Sequence, residues 1–172
     1  MDKPKLYLFV GYPGAGKTTV SKVIEEATGA MHIWSDQERQ KMFDSPTHSR
    51  QESNELYAYL NEQTRDLLSD GKSVIFDTNF NHKKDRDHLK QIAEQNGAET
   101  IIVWVNTPVD LARERAVHSQ ILRNGYDFTM SKEQFNEIAS KLEEPEESEK
   151  VLKIDGTKVD DSEIRRLLDI DA

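Results

Sequence analysis

Residues 11–18 read "GYPGAGKT", a match to G-x-x-x-x-G-K-[ST] that follows the apolar run Leu6–Val10 and precedes a helix-length segment. Glycines at those places let the backbone fold into a nest of N–H donors for phosphate oxygens, and the helix starting near Lys17 adds the positive end of its dipole. Lys17 would bridge the β- and γ-phosphates, and the Thr18 hydroxyl would face Mg²⁺. Such a loop binds a nucleoside triphosphate without saying what is done with it, because transferases, switches and motors all use it. The reaction has to be read from the other strand ends, where an open parallel sheet keeps its ligands.

Two of those ends finish in an acid. "IWSDQER", residues 33–39, pairs Ser35 with Glu38 at capping-box spacing, which makes Asp36 an acidic first-turn residue; an aspartate there is also where a general base would sit. The two readings are compatible, since the box would hold Asp36 and Arg39, three apart on one helical face, toward the cleft. "VIFD", residues 74–77, is an apolar run closed by Asp77, the minimal form of a Walker B aspartate that holds Mg²⁺ directly or through water. Thr78 and Asn79 follow it, and Asn81 is a candidate cap for the next helix. At the fourth strand end Thr107 can cap and Pro108 suits a first helical turn, so no chemistry is assigned there.

The elements that must position these residues alternate. Strands are expected near Leu6–Val10, His32–Trp34, Ser73–Phe76, Thr100–Val105 and Val151–Ile154. Helices are expected near Lys17–Ala27, Gln37–Phe43, Arg50–Ser69, Lys83–Gln95, Val109–Leu122, Lys132–Leu142 and Asp161–Leu168. That order predicts an α/β fold, a five-stranded parallel sheet with helices on both faces, in one domain spanning 1–172. The acidic run "EEPEESE", Glu143–Glu149, reads as a solvated loop before the last strand.

Bulk composition narrows the function classes. Of 172 residues, 35% are hydrophobic and 32% charged, mean hydropathy is -0.77, and the apolar runs are strand-sized, so no membrane span is expected. The amino terminus lacks the long apolar stretch of a signal peptide, and a cytoplasmic location is expected. With no cysteine, disulfides and thiolate metal sites are excluded, and the histidines show no paired-ligand spacing. A net charge of -9 opposes broad attraction to a phosphate backbone.

Together "FVGYPGAGKTT", the D-x-x-R of "SDQER" and the D-[TN]-N-x-N of "VIFDTNFNHKKDR" resemble the polynucleotide kinase-like branch of P-loop kinases, with zeta-type toxins, gluconate kinase and chloramphenicol phosphotransferases as relatives. The stretch "MSKEQFNEIASKLEEPEESEKVLKI" is similar to the segment before the last strand in nucleic-acid repair kinases. The resemblance implies a three-layer P-loop NTPase fold of kinase type with a small helical lid, placed within 109–131. It implies transfer of the γ-phosphoryl of ATP, with Mg²⁺, to a hydroxyl. Gly11, Pro13, Gly14, Ala15, Gly16, Lys17, Thr18 and Thr19 would hold the phosphates and Lys17 would also serve catalysis. Asp36 would take the acceptor proton and Arg39 would hold an acceptor phosphate. Asp77 would belong to the Mg²⁺ and acceptor shell with Thr78 and Asn79, Thr18 being the other metal ligand.

The lid of such kinases carries arginines for the transferring phosphate. Here Arg115 is the first choice as a catalytic group and Arg113 the second, as a nucleotide contact. The next turn reads Val117-His118-Ser119 where another arginine is usual, with Arg123 and Arg50 as substitutes. The adenine is expected near Asp155-Gly156-Thr157. A nucleic-acid 5′-hydroxyl is the acceptor the resemblance favours, yet across 34–66 Asp36, Glu38, Asp44, Glu52, Glu55, Glu62 and Asp66 outnumber Arg39, Lys41, Arg50 and Arg65. A sugar, nucleoside or antibiotic acceptor is the alternative. A third reading is a nucleotide-dependent binding module with little transfer.

Overall fold

The computed structural model describes residues 2–118 and 130–170. Its strands are β1 (Lys5–Val10), β2 (Met31–Trp34), β3 (Val74–Asp77), β4 (Glu99–Asn106) and β5 (Val151–Asp155). The helices are α1 (Lys17–Thr28), α2 (Ser35–Met42), α3 (Arg50–Ser69), α4 (Lys83–Gln95), α5 (Val109–His118), α6 (Lys132–Ser140) and α7 (Asp161–Leu167). The strands form one parallel sheet in the order β2-β3-β1-β4-β5. The expected five-stranded parallel sheet between two helical layers is therefore present.

Period-two alternation sorts each strand's side chains between two cores. Leu6, Leu8, Val10, Ile33, Val74 and Phe76 pack with Leu56, Leu60 and Leu68 of α3 and with Leu89 and Ile92 of α4. Tyr7, Phe9, Ile75, Ile101 and Val103 face the other way, onto Val20, Val23 and Ile24 of α1 and Ile164 beside Leu168 at α7. The near-continuous apolar β1, buried from Leu6 onward, is what a central strand covered on both faces requires.

Two local expectations are corrected and a third is refined. The Ser35–Glu38 capping box does not form: α2 starts at Ser35 itself, its N-cap is Trp34 with no side-chain cap, and the Ser35 hydroxyl donates to the Asp77 carbonyl oxygen at 3.4 Å. Because β2 runs to the edge of α2 without a turn, that serine is inside the helix, beside β3. A capping box is formed instead by Ser131 and Gln134 at the start of α6. Second, Asn81 caps nothing; the N-cap of α4 is His82. Third, the 143–149 run is the loop expected and is exposed along most of its length, but it is pinned at its end, where the Glu149 carboxylate, 6% exposed, pairs with the buried guanidinium of Arg86 at 2.8 Å. Part of the helix expected over Val109–Leu122 falls outside the described residues, as does Arg123. No helix among the described residues is long and apolar enough to cross a membrane.

Candidate functional site

At the carboxyl end of β1 the chain turns into residues 11–16 and then into α1. Gly14 and Gly16 take left-handed φ of 79° and 108°, a backbone that side-chain-bearing residues avoid and that turns successive N–H groups toward one point. Ala15 is fully buried and Lys17 partly so. Lys17 Nζ donates to the carbonyl oxygens of Gly11 at 2.8 Å and Tyr12 at 2.9 Å, which lays the ammonium across the loop it encircles. The loop is braced from the residue that follows β4, the buried Thr107, which donates its hydroxyl to Ala15 O at 2.8 Å.

Neighbouring strand ends bring the acids to the same edge. Trp34 lies laterally opposite Asp77 in the β2–β3 register, so Asp36, two residues on and exposed, stands at the carboxyl edge near Asp77. Asp77 itself touches α1: the Ser21 hydroxyl donates to Asp77 Oδ2 at 3.3 Å and to Thr18 O at 2.8 Å. His32 Nε2 lies 2.9 Å from the same Oδ2, and its Nδ1 lies 2.8 Å from Glu25 Oε2. Both contacts fall on one carboxylate oxygen, and among the described residues none falls on Oδ1, which could face a cation or its water. With the Thr18 side chain three residues before Ser21 on α1, the donor set is the all-oxygen kind that suits Mg²⁺. Thr78 shares a 2.8 Å hydrogen bond with Tyr57 of α3, and Asn79 Oδ1 accepts from Asn81 N at 3.0 Å.

The three arginines expected at the site, Arg39 and Arg113 for binding and Arg115 for catalysis, all have protein partners. Arg39 is 7% exposed: NH1 donates to Glu52 Oε1 at 2.6 Å and NH2 to Ser53 Oγ at 3.1 Å, so the guanidinium is turned into the α2–α3 contact and away from an acceptor. Glu52 also accepts from Thr47 N, Thr47 Oγ1 and His48 N. With the Thr47 N–H foremost and Arg39 helping, its carboxyl is pushed down to about 2 against the opposing effect of burial. Arg113 bonds Asp110 and Asn136 and lies 5.4 Å from the Phe135 ring centroid, which ties α5 to α6. Arg115 NH1 donates to Gly156 O at 2.8 Å, holding α5 to the β5–α7 turn where the adenine is expected. The fallback Arg50 opens α3 and is exposed. The Asp155 carboxyl, lowered by the Thr157 hydroxyl and then by its N–H, shapes that turn.

The sequence points to no site role for Ser21 or His32 and to no more than a helix cap for Asn81, and the reason is physical. Ser21 and Asp77 are 56 positions apart and meet only because α1 passes over β3, which no spacing reveals. A separate cavity of about 690 Å³, lined by Lys3, Lys5, Glu99 and Lys150 among others, opens at the amino ends of β1, β4 and β5, the end of a parallel sheet opposite to the phosphate loop.

A family model described as "AAA domain" matches residues 6–145. No curated protein matches the sequence. Among solved structures, a sugar kinase from Janibacter sp. HTCC2649 is similar over 98% of this chain and 96% of its own, with 17% identity and a TM-score of 0.70. The Mycobacterium tuberculosis APS kinase CysC, in complex with AMPPNP and APS, is similar over 98% of both chains, with 17% identity and a TM-score of 0.70. A chain of the Pnkp1/Rnl/Hen1 RNA repair complex is similar over 83% of this chain and 45% of its own, with 19% identity and a TM-score of 0.68. By its sequence from Leu6 to Pro145 the chain belongs to the AAA domain family, and its fold is that of the P-loop kinases.

Proposed function

We propose that this protein is a Mg²⁺-dependent phosphotransferase that moves the γ-phosphoryl of ATP onto an alcohol. One observation supports the reading: Asp77 at the end of β3 is tied through Ser21 to α1, the helix that follows the phosphate loop, and the exposed Asp36 lies two residues beyond Trp34, which pairs with Asp77 in the sheet. A triphosphate-hydrolysing switch has no need of an exposed carboxylate facing an acceptor, whereas a kinase has.

In this reading the N–H groups of residues 11–18 orient the phosphates and Lys17 neutralises charge that builds on them. Thr18 and Asp77 would hold Mg²⁺, which when bound would screen the negative charge of the phosphates. Asp36 accepts the acceptor's hydroxyl proton as the oxygen–phosphorus bond forms and the bond from the γ-phosphorus to the β–γ bridging oxygen breaks, releasing ADP. The lid, whose described part is α5, excludes water.

The burial of Arg39 against Glu52 favours an acceptor with no phosphate beside α2, hence a small uncharged or amine-bearing alcohol over a nucleic-acid end. The acids around Asp36 weigh the same way. Mg²⁺ and γ-labelled ATP, offered with 5′-hydroxyl oligonucleotides and with sugars, nucleosides and aminoglycosides, test both parts. Label should move to a small alcohol and stop moving in Asp36→Asn; transfer unaffected by that substitution removes Asp36 as the base, and transfer confined to oligonucleotides removes the small acceptor. Nucleotide binding without transfer to any of them returns the protein to the class of binding modules.

A further inference from the structure

We infer that Asn81 is a positioning residue for the phosphate loop: its carboxamide stands in for a strand neighbour of Gly11, where β1 leaves the sheet. Asn81 is 3% exposed. Gly11 N donates to Asn81 Oδ1 at 3.1 Å, and Asn81 Nδ2 donates back to Gly11 O at 3.2 Å. The β1–β3 ladder pairs Leu8 with Phe76, and beyond it Phe80 N donates to Phe9 O at 2.9 Å. The next peptide group on that edge of β1 would face the loop after β3 with no backbone partner. The side-chain amide supplies the missing donor and acceptor together, so both polar groups of the first loop glycine are satisfied in a water-excluded place.

The carboxamide is itself held. Asn81 N donates to Asn79 Oδ1 at 3.0 Å, and Asn81 O accepts from Glu143 N at 2.8 Å. The Glu143 carbonyl oxygen accepts from Arg86 NH1 at 3.1 Å, and the same nitrogen donates to Phe80 O at 2.8 Å. The rest of the Arg86 guanidinium grips Glu149. The acidic segment, which in the sequence reads as a solvated loop, is thus the outer brace of a chain of contacts running from Glu149 through Arg86, Glu143 and Asn81 to Gly11. Asn81 lies in the loop after Asp77, two residues beyond Asn79, so one loop sets both the acid edge and the phosphate cradle. Lys17 Nζ, on the same Gly11 oxygen at 2.8 Å, is aligned by the same peptide group.

The inference rests on nucleotide binding by the loop and not on phosphoryl transfer, so its test reads equilibrium binding of ATP and of AMP, with the thermal midpoint of each variant recorded. Asn81→Leu, close in size and unable to pair, is expected to weaken ATP at least about tenfold while AMP, which lacks the β- and γ-phosphates, changes less than about threefold. Asn81→Asp keeps the variant testable if the leucine chain fails to fold. A neutral carboxylic acid offers the same acceptor and donor as the carboxamide, whereas a carboxylate opposes the Gly11 oxygen. Binding by Asn81→Asp, normalised to the wild type at each pH, should therefore fall at least about tenfold between pH 5 and pH 9. The charged groups that touch its partners are Lys17 from α1 on the Gly11 oxygen and Arg86 from α4 on the Glu143 carbonyl oxygen, with the Glu143 carboxylate 3.4 Å from the neighbouring His82 Nδ1, and all are shared with the wild type. Equal losses for ATP and AMP in a folded leucine variant, or a flat normalised pH profile in the aspartate variant, overturn the inference. A wild type that does not bind ATP overturns the proposed function along with it.

Discussion

Gly14 offers the sharpest test of how the phosphate loop is held. A Cβ built on it would lie 2.4 Å from the Ala112 carbonyl oxygen and 3.0 Å from Ala116 N, both backbone atoms of α5, against ordinary contact from 3.4 Å. Gly14→Ala therefore forces the loop and α5 apart by about 1 Å, in a close-packed region where backbone cannot yield as a flexible side chain does. The φ of 79° adds a left-handed penalty of about 1–2 kcal/mol. Overpacking adds about 1–3 kcal/mol, for a total of about 2–5 kcal/mol and a fall in Tm of about 10 °C. The same shift takes N–H groups out of the 2.7–3.2 Å range, and losing one charge-assisted bond to phosphate weakens ATP by about tenfold to a hundredfold. Gly29→Ala is the control: its φ is 69° and nothing lies within 4 Å of the added carbon, so it carries the backbone penalty alone. The assay is titration of a fluorescent ATP analogue alongside thermal unfolding of both variants. A Gly14→Ala protein that binds ATP within about threefold of wild type, or a Gly29→Ala protein that loses ATP equally, refutes the reasoning.

Glu52 is held near 2, below its ordinary 4.5, so it contributes stability that is fully present above about pH 4.5 and is lost as pH falls toward 2; urea unfolding followed across that window should show the slope, and Glu52→Gln should flatten it. Arg86→Met strands the Glu149 carboxylate in a buried place and should cost about 3–5 kcal/mol by denaturant titration, while Arg86→Met with Glu149→Leu should recover a large part of that loss.

The helices and strands were legible because their signals are local. β1 and β4 announce themselves as apolar runs, and α3 shows Leu56, Tyr59, Leu60 and Leu67 at helical spacing, of which the structure buries Leu56 and Leu60, adds Leu68 and leaves Tyr59 exposed. The phosphate loop was legible for the same reason: every residue of the motif lies within one strand-to-helix turn. Asp77 was legible as a strand-ending acid. What could not be read was which distant group each polar side chain would find. The Asn81 carboxamide and the Gly11 peptide are 70 positions apart, and their meeting depends on β3 lying next to β1 in the sheet order.

Asp36 and Arg39 show why a shared helical face is not a shared fate. Three positions apart at the start of α2, they point along one side by spacing alone, and the resemblance assigns both to the acceptor. The structure separates them by what packs on α2: Asp36 is left exposed at the carboxyl edge of the sheet, while Arg39, one turn on, meets the first turn of α3 and is captured by Glu52 and Ser53. Glu52 in turn accepts the backbone N–H groups of Thr47 and His48, so releasing Arg39 to an acceptor phosphate would unseat the connection between α2 and α3 as well as break an ion pair. An arginine so placed shapes the wall of the acceptor site more readily than it reads a charge inside it. On the proposed phosphotransferase reading the exposed acids would be what an incoming alcohol meets, and their sign, set by residues rather than by the fold, is where acceptor preference should be sought.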